Sequence, residues 1–397
     1  MKVCMLAYTW YEPDNRVRRY AETLVKRGDQ VDAVVLRKEG QFARVEVIEG
    51  VRVHRIQRRV INEKGKITYL AKLLLFFARS FFFLAWKQLR DPYDLIHVHS
   101  VPDFEVFAAL VPKLMGAKVI LDIHDLVPEF YLTKFRTTPD SLIFRLLVGV
   151  ERMSASFADH VIAANHIWLK RLYGRSVRCE DCTVILNFPD TDIFHLRGRT
   201  RNDDKFIMVY PGTLTHHQGV DIAIRAFAQI ADQCPQAEFH LYGGGDQVPY
   251  LKKLIAELNL QERVFLKGGR TLQEIAEIEE NSDLGVVPKR NDGFGNEAFS
   301  TKIFEFMTEN VPVIVSSTAI DRYYFNDSIV KFFEANNENS LAEAMLQLIQ
   351  NPEQRQELVR NAREFIKDYT WEKNKSMYLD LVDKLVAPSA RELTAKV

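Results

Sequence analysis

Short apolar runs rich in valine, isoleucine and leucine alternate along the chain with longer stretches whose apolar residues recur at helical spacing. That alternation predicts parallel strands covered by helices on both faces, an α/β architecture. In the first half, strands are expected at Val3 to Ala7, Val31 to Leu36, Val51 to Ile56, Leu95 to Val98, Val119 to Ile123, His160 to Ala163 and Val184 to Leu186. In the second half they are expected at Ile207 to Tyr210, Glu238 to Leu241, Val264 to Leu266, Leu284 to Val287, Val313 to Val315 and Ile329 to Phe332. The stretch NFPDTDIFHLRGRTRNDDK between the two series, Asn187 to Lys205, is polar, charged and proline-bearing, as an interdomain linker is. The organisation this predicts is one domain over residues 1–187, a linker over 188–205, a second domain over 206–370, and a terminal helix over 371–397 that returns to the first domain.

One segment departs from the alternation. Residues 67–89, ITYLAKLLLFFARSFFFLAWKQL, form a Phe-rich helix candidate flanked by Lys64, Lys66, Lys87 and Arg90. It is long enough for a bilayer span of ~20 residues. Lys72 and Arg79, seven residues apart, fall on one side of such a helix and suit burial or interfacial docking better. A core helix, a membrane-surface helix and a span all stay open. Charge sharpens the point: the chain is neutral overall, yet 19 of its 53 basic residues and only 9 of its 53 acidic ones fall within residues 1–90. A basic start suits an anionic partner, and an anionic membrane surface fits better than nucleic acid, for which no recognition module is present.

Length and composition, 397 residues with 47% hydrophobic and 27% charged, allow two cores of roughly 150 to 200 residues each. The four cysteines, Cys4, Cys179, Cys182 and Cys234, are too scattered for a disulfide framework, and the start MKVCMLAYTWYEPDN lacks a secretory layout. The expectation is a cytoplasmic chain, peripheral at the inner face of the cytoplasmic membrane if residues 67–89 dock there. Cys179 and Cys182 lack the second pair that a zinc site needs.

Ligands of doubly wound sheets bind beyond the carboxyl ends of the strands. His124-Asp125 follow the fifth strand; Gly212-Thr213, then Gly243-Gly244-Gly245-Asp246, then Pro288 to Glu297 follow strands of the second half. Two such sets of loops facing each other would make one cleft for two substrates. In Glu297-Ala-Phe-Ser-Thr-Lys-Ile-Phe-Glu305, two carboxylates stand eight residues apart across a helix start. Ser300 is expected to cap that helix, whose free amides would accept a phosphate. Glu305, further inward, suits a ribose diol. The same spacing also fits a surface helix with two solvated acids.

These residues resemble glycosyltransferase family 4, the retaining GT-B enzymes, and the likeness runs from the first strand to the terminal helix. EAFSTKIFEFMTENVPVIVS is similar to the family's E-x7-E element; PDNRVRRYAETLVKRGDQVD resembles its first loop and helix. DLIHVHSVPDF and KVILDIHDLVPEF resemble its acceptor-side loops, HLYGGGDQVPYLKKLIAELNLQERVFLKGG its donor-domain strand, turn and helix, and Trp371 its late aromatic. The resemblance implies two Rossmann-like, doubly wound domains, acceptor-binding first and donor-binding second, and no cofactor beyond a UDP- or GDP-linked sugar as substrate. It gives Glu297 the donor-sugar hydroxyls, Glu305 the ribose, and His124 the sugar near the anomeric carbon. Backbone amides of Phe299, Ser300 and Thr301 take the distal phosphate, while Gly269 and Arg270 lie near the base. Asp14, Asn15, Arg16, Ser100, Asp103 and Asp125 fall on the acceptor side, and a saccharide or lipid-linked saccharide of bacterial surface polysaccharide assembly is the acceptor implied.

The sequence departs from the family where an arginine and a lysine usually grip the diphosphate: here stand Gly212-Thr213-Leu214 and Gln218-Gly219. Lys302 is the first replacement expected and Lys289 with Arg290 the second; His216 and His217 could donate as well. Asp190-Thr191-Asp192 is a DxD of the manganese-binding type, but it falls in the expected linker, so no metal is expected. An epimerase on the same scaffold and a non-catalytic binding subunit are the other readings to beat.

Overall fold

The computed structural model describes residues 1–40, 43–59, 66–135 and 138–387. Two units emerge, Met1–Asn187 joined by Lys375–Val397, and Phe188–Asn374.

In the first unit the strands are β1 (Lys2–Ala7), β2 (Gln30–Arg37), β3 (Val45–Ile48), β4 (Val51–Arg58), β5 (Leu95–His99), β6 (Lys118–Ile123), β7 (His160–Ala163) and β8 (Cys182–Val184). Their order is β3-β4-β2-β1-β5-β6-β7-β8, parallel except for the β3–β4 hairpin. The second unit holds β9 (Phe206–Pro211), β10 (Ala237–Tyr242), β11 (Val264–Gly268), β12 (Leu284–Val287), β13 (Val313–Ser316) and β14 (Lys331–Phe333), all parallel, in the order β11-β10-β9-β12-β13-β14. Helices cover both faces, which is why the central strands read as unbroken apolar runs: Val3 to Leu6 and Ala33 to Leu36 are fully buried. Strand order reverses at β1/β5 in one sheet and at β9/β12 in the other, the two places where such sheets open a crevice.

Several expected bounds and settings are refined. β3 is additional to the expected strands, because it is an edge strand whose Val45 and Val47 stay exposed; it turns into β4 through Glu49 and Gly50, both at positive φ, the two-residue hairpin geometry. β8 ends at Val184 rather than starting there, and β14 begins at Lys331, since Ile329 and Val330 sit in a turn. The segment 188–205, expected as a linker, packs within the second unit: Ile193 and Phe194 are buried against Ala276, and the Arg197 and Gly198 amides donate to Glu280 at 2.6 and 2.7 Å. Finally, the Phe-rich segment forms a helix, Lys66–Arg90, that is not a core helix throughout.

One side of that helix is held by the protein, with Leu73, Phe76, Ser80 and Leu84 buried, Lys87 3.3 Å from Asp32, and the Gln88 amide donating to the Tyr93 carbonyl. The other side leaves Leu70, Leu74, Leu75, Phe82, Trp86 and Leu89 exposed, Leu89 at 72%. By length and composition the helix could cross a membrane. Its buried lysine, serine and glutamine sit against protein, a setting that a lipid-surrounded span would forfeit.

The terminal helix, Trp371–Val386, starts in the second unit, where Trp371 packs on Phe188, and continues into the first. There Tyr378 is fully buried on Tyr20, its hydroxyl lies 2.9 Å from His97 Nδ1, and Asp383 accepts from Arg27 at 2.8 Å.

Candidate active site

In the second unit the site begins at the bare Cα of Gly212, just past β9. Gly212 sits at φ +147, and a Cβ there would meet Lys302 Cε at 2.3 Å and Nζ at 2.9 Å. The missing side chain therefore lets Lys302 lie across the end of β9, its Nζ 5.5 Å from the centre of the Tyr210 ring. Tyr210 fixes this turn by donating its hydroxyl to the Thr213 carbonyl at 2.8 Å. Gly243, past β10, is required for backbone approach: its Cβ would strike the Gly212 carbonyl at 1.8 Å. Gly219 (φ +65) brings the Gln218 turn against β12 in the same way, a Cβ there lying 2.0 Å from the Pro288 carbonyl. Gln218 Nε2 is 3.1 Å from His217 Nε2, and its Oε1 is buried without a partner.

Lys302 stands on the first turn of helix Thr301–Thr308, an amphipathic segment that buries Ile303, Phe304, Phe306 and Met307. Ser300 occupies the N-cap position yet makes no cap hydrogen bond, contrary to expectation; its hydroxyl is buried without a partner. Helix-start amides without a side-chain cap, a buried hydroxyl and an ammonium group together form an anion-receptive corner. Burial pulls the Lys302 ammonium below its usual value, with Glu305 opposing, and burial raises the Glu305 carboxyl, with Lys302 and the Thr301 hydroxyl opposing. Glu279 is wholly buried nearby, its carboxyl pushed well up by burial and then by Glu305 and Glu309, which favours its protonated form. Glu297 ends a short helix, Gly293–Glu297, inside a stretch expected to be open loop. The Phe299 ring packs among Phe304 and Tyr324, with ring centres 4.9 and 5.1 Å away. Gly269 and Arg270 are exposed past β11, Arg270 donating to the Gly269 carbonyl at 2.9 Å.

The second set of cations expected to replace the diphosphate pair is engaged elsewhere. Lys289 is 2% exposed, paired with Asp321 at 2.9 Å, and donates to the Ala298 carbonyl at 2.7 Å. Arg290 pairs with Asp221 at 2.5 Å and donates to the His216 carbonyl at 3.0 Å, holding loops together. Asp190 accepts from the Asp192 amide at 3.0 Å, so the DxD is built into a turn.

In the first unit, the ends of β1, β5 and β6 line a half-open cavity of about 210 Å3 that brings together Asp14, Ser100, His124 and Asp125. Asp14 caps helix Asn15–Arg27 by accepting from the Val17 amide at 3.1 Å; Asn15 opens the helix, and its Oδ1 is buried without a partner. Burial pulls His124 down to about 4, so its imidazole is neutral near pH 7, and its Nδ1 is buried with no hydrogen-bond partner. Burial pushes Asp125 up to about 7. Ser100 donates to Asp103 at 2.6 Å, both residues buried beneath the cavity, and burial lifts Asp103 to about 7.

Arg16, expected on the acceptor side, sits in a buried ion pair. It is buried, forks onto Asp122 at 2.7 and 2.8 Å, and donates to the Ile185 carbonyl at 3.0 Å. Burial would raise Asp122, but Arg16 and His99 hold it well below the usual carboxylate range. His97, His99 and Asp122 offer atoms within 4.8 Å of one another, yet a cation there would meet the Arg16 guanidinium. Arg59, Tyr8, Tyr69 and His99 also line the cavity. Sequence reasoning passed over them, although the strand-end rule, applied to β1 and β4 as well, would reach Tyr8 and Arg59.

Comparison with known proteins bears on this arrangement. Residues 13–187 match the family model for a glycosyl transferase 4-like domain, and residues 193–365 match that for glycosyl transferases group 1. An uncharacterised glycosyltransferase of Methanocaldococcus jannaschii is 31% identical over 70% of this chain and 72% of its own length. The alpha-galactosylglucosyldiacylglycerol synthase of Streptococcus pneumoniae is 22% identical over 74% and 78%. Among solved structures, sucrose-phosphate synthase from Thermosynechococcus elongatus shares the fold at a TM-score of 0.80 with 19% identity, covering 98% of this chain and 100% of that one. Anabaena HepE in complex with UDP and glucose does so at 0.72 with 17% identity, covering 96% and 99%. With two Rossmann-like parallel sheets and these matches, the chain belongs to the group 1, family 4-like glycosyltransferases of GT-B fold.

Proposed function

We propose that the chain moves a sugar, with retained anomeric configuration and without a metal, from a UDP- or GDP-linked donor to a lipid-linked saccharide in bacterial surface polysaccharide assembly. The observation that carries this reading is Lys302 laid over Gly212 at the uncapped start of helix Thr301–Thr308, with Glu305 one turn further on. In the proposed step the acceptor oxygen bonds to the anomeric carbon as the bond to the diphosphate breaks, and the acceptor proton passes to the departing phosphate oxygen. The charge that develops is taken up by the Phe299–Thr301 amides, the Ser300 hydroxyl and Lys302, all in place beforehand. Lys302 thereby replaces the usual cation pair. Glu305 holds the ribose, Glu297 orients the donor sugar, and neutral His124 hydrogen-bonds a sugar hydroxyl. The exposed apolar side of helix Lys66–Arg90 and the basic N-terminal stretch support docking at the inner face of the cytoplasmic membrane. Two relatives, named as alpha-galactosylglucosyldiacylglycerol synthase and alpha-monoglucosyldiacylglycerol synthase, are in keeping with a lipid acceptor.

The test is Glu297→Gln, assayed with the sugar nucleotide that best stabilises the protein in a thermal-shift panel. Turnover should fall at least about a hundredfold, the scale of a lost transition-state contact, with nucleotide affinity held within a few fold. Unchanged turnover removes Glu297 from the reaction.

A further inference from the structure

The cavity of the first unit has a cationic end that the transfer step does not use. Arg59 follows β4 directly, and its guanidinium carbon lies 4.9 Å from the centre of the Tyr8 ring, 5.6 Å from Tyr69 and 5.8 Å from Trp10. Among the described residues no carboxylate pairs with it, whereas its neighbours Arg55 and Arg58 are paired with Glu12 and Glu39 at 2.5 and 2.6 Å. Aromatic faces satisfy a guanidinium's π surface and hold its plane still, but they leave the N–H fork open. A fork fixed in orientation and without a carboxylate partner among the described residues is matched by the paired oxygens of an incoming oxyanion, a phosphate among them.

The opposite wall offsets that charge only in part: Asp14 accepts from the Val17 amide through one oxygen as a helix cap, and Asp125 holds its proton to about pH 7. The cavity thus has a hydroxyl-reading end at Asp14, His124 and Asp125 and an anion-reading end at Arg59. Tyr69, part of the aromatic frame, sits at the start of helix Lys66–Arg90, and the exposed Leu70, Leu74 and Leu75 follow it. An apolar strip therefore runs on from the anion-reading end. We propose that Arg59 binds a phosphate carried by the acceptor, so that the acceptor class is a sugar bearing a phosphate or diphosphate ester. This rests on the transferase reading only in taking the cavity for the acceptor's; the binding itself needs no turnover.

The experiment uses the full chain saturated with whichever of UDP and GDP binds more tightly, so that the diphosphate corner at Lys302 is filled. Geranyl diphosphate and glucose 1-phosphate are titrated calorimetrically into wild type, Arg59→Gln and Arg59→Lys, with geraniol as the phosphate-free control. At least one phosphate ester should bind, lose about tenfold or more in affinity in Arg59→Gln, the loss of one charge-assisted contact, and bind with intermediate affinity in Arg59→Lys, which keeps the charge but not the fork. Nucleotide affinity should not change in either variant. Arg59-dependent binding of geranyl diphosphate assigns a lipid-carried acceptor; such binding of glucose 1-phosphate alone assigns a soluble one, and either supports the site. The proposal is overturned if neither ester binds wild type, if Arg59→Gln binds them as wild type does, or if geraniol shows the same dependence. A chain that passes this test and yet fails the Glu297 assay has a phosphate subsite without the proposed catalysis, so the two failures are distinguishable.

Discussion

Replacing Gly212 with alanine tests whether Lys302 is the cation that replaces the family's usual pair. The added methyl would lie 2.3 Å from Lys302 Cε and 2.9 Å from Nζ, and these atoms are the far end of a flexible side chain, so Lys302 can swing away. The diphosphate would then lose one charge-assisted interaction, about 1.5 to 3 kcal/mol, or roughly tenfold to a hundredfold in affinity. A second cost is separate: φ +147 strains any residue with a Cβ, at of order 1–3 kcal/mol of fold stability. Lys302→Ala should reproduce the affinity loss without the stability loss. The measurement is calorimetric binding of UDP and GDP to Gly212→Ala, Lys302→Ala and the double variant, with denaturant unfolding alongside. If both changes act through one contact, the double variant binds no more weakly than Lys302→Ala. Additive affinity losses, or a Lys302→Ala variant that binds like wild type, refute the reasoning.

Other outcomes rest on the same geometry. Lys289→Met leaves Asp321 buried without its cation and should destabilise the fold by about 3 to 5 kcal/mol in urea unfolding, while the folded fraction binds nucleotide within a few fold of wild type. Asp103 carries a pH signature. The folded chain keeps its proton to about 7 whereas the ordinary value is 3.8, so wild type binds more protons folded than unfolded across that window and loses stability as pH rises through it. Asp103→Asn cannot titrate, so its stability relative to wild type should climb from pH 4 to 7 and then level off; a pH-independent difference contradicts the assignment. Phe82→Ser with Trp86→Ser, both on the exposed side of helix Lys66–Arg90, should change stability by less than about 0.5 kcal/mol each yet abolish flotation with anionic liposomes; flotation equal to wild type would rule that face out as the docking surface.

Central strands are legible because burial on both faces leaves an unbroken apolar signature; β12, Leu284–Val287, falls where its residues place it. The edge strands β3 and β14 are less so, since β3 exposes its valines and β14 owes its bounds to pairing with β13. Periodicity gives helix Lys66–Arg90 its length but not its surroundings: an apolar stretch reads alike whether protein or solvent covers it. The two glycine turns and the strand-end histidine are readable as positions. Which cation is left without an aspartate partner is not, because Lys289, Arg290 and Lys302 differ only in the groups that fold against them. Asp321 and Asp221, distant in sequence, take the first two. The ion pair of Arg16 is hidden for the same reason, its partner Asp122 lying 106 residues away.

The central claim is that an anionic leaving group rests against the start of helix Thr301–Thr308 under Lys302. A crystal structure of the chain with UDP or GDP, whichever binds more tightly, tests it directly. The β-phosphate should contact the Ser300 hydroxyl and lie within about 3 Å of Lys302 Nζ, the reach of a charge-assisted hydrogen bond, with Glu305 on the ribose. A nucleotide bound elsewhere, with that corner holding only water, contradicts the account.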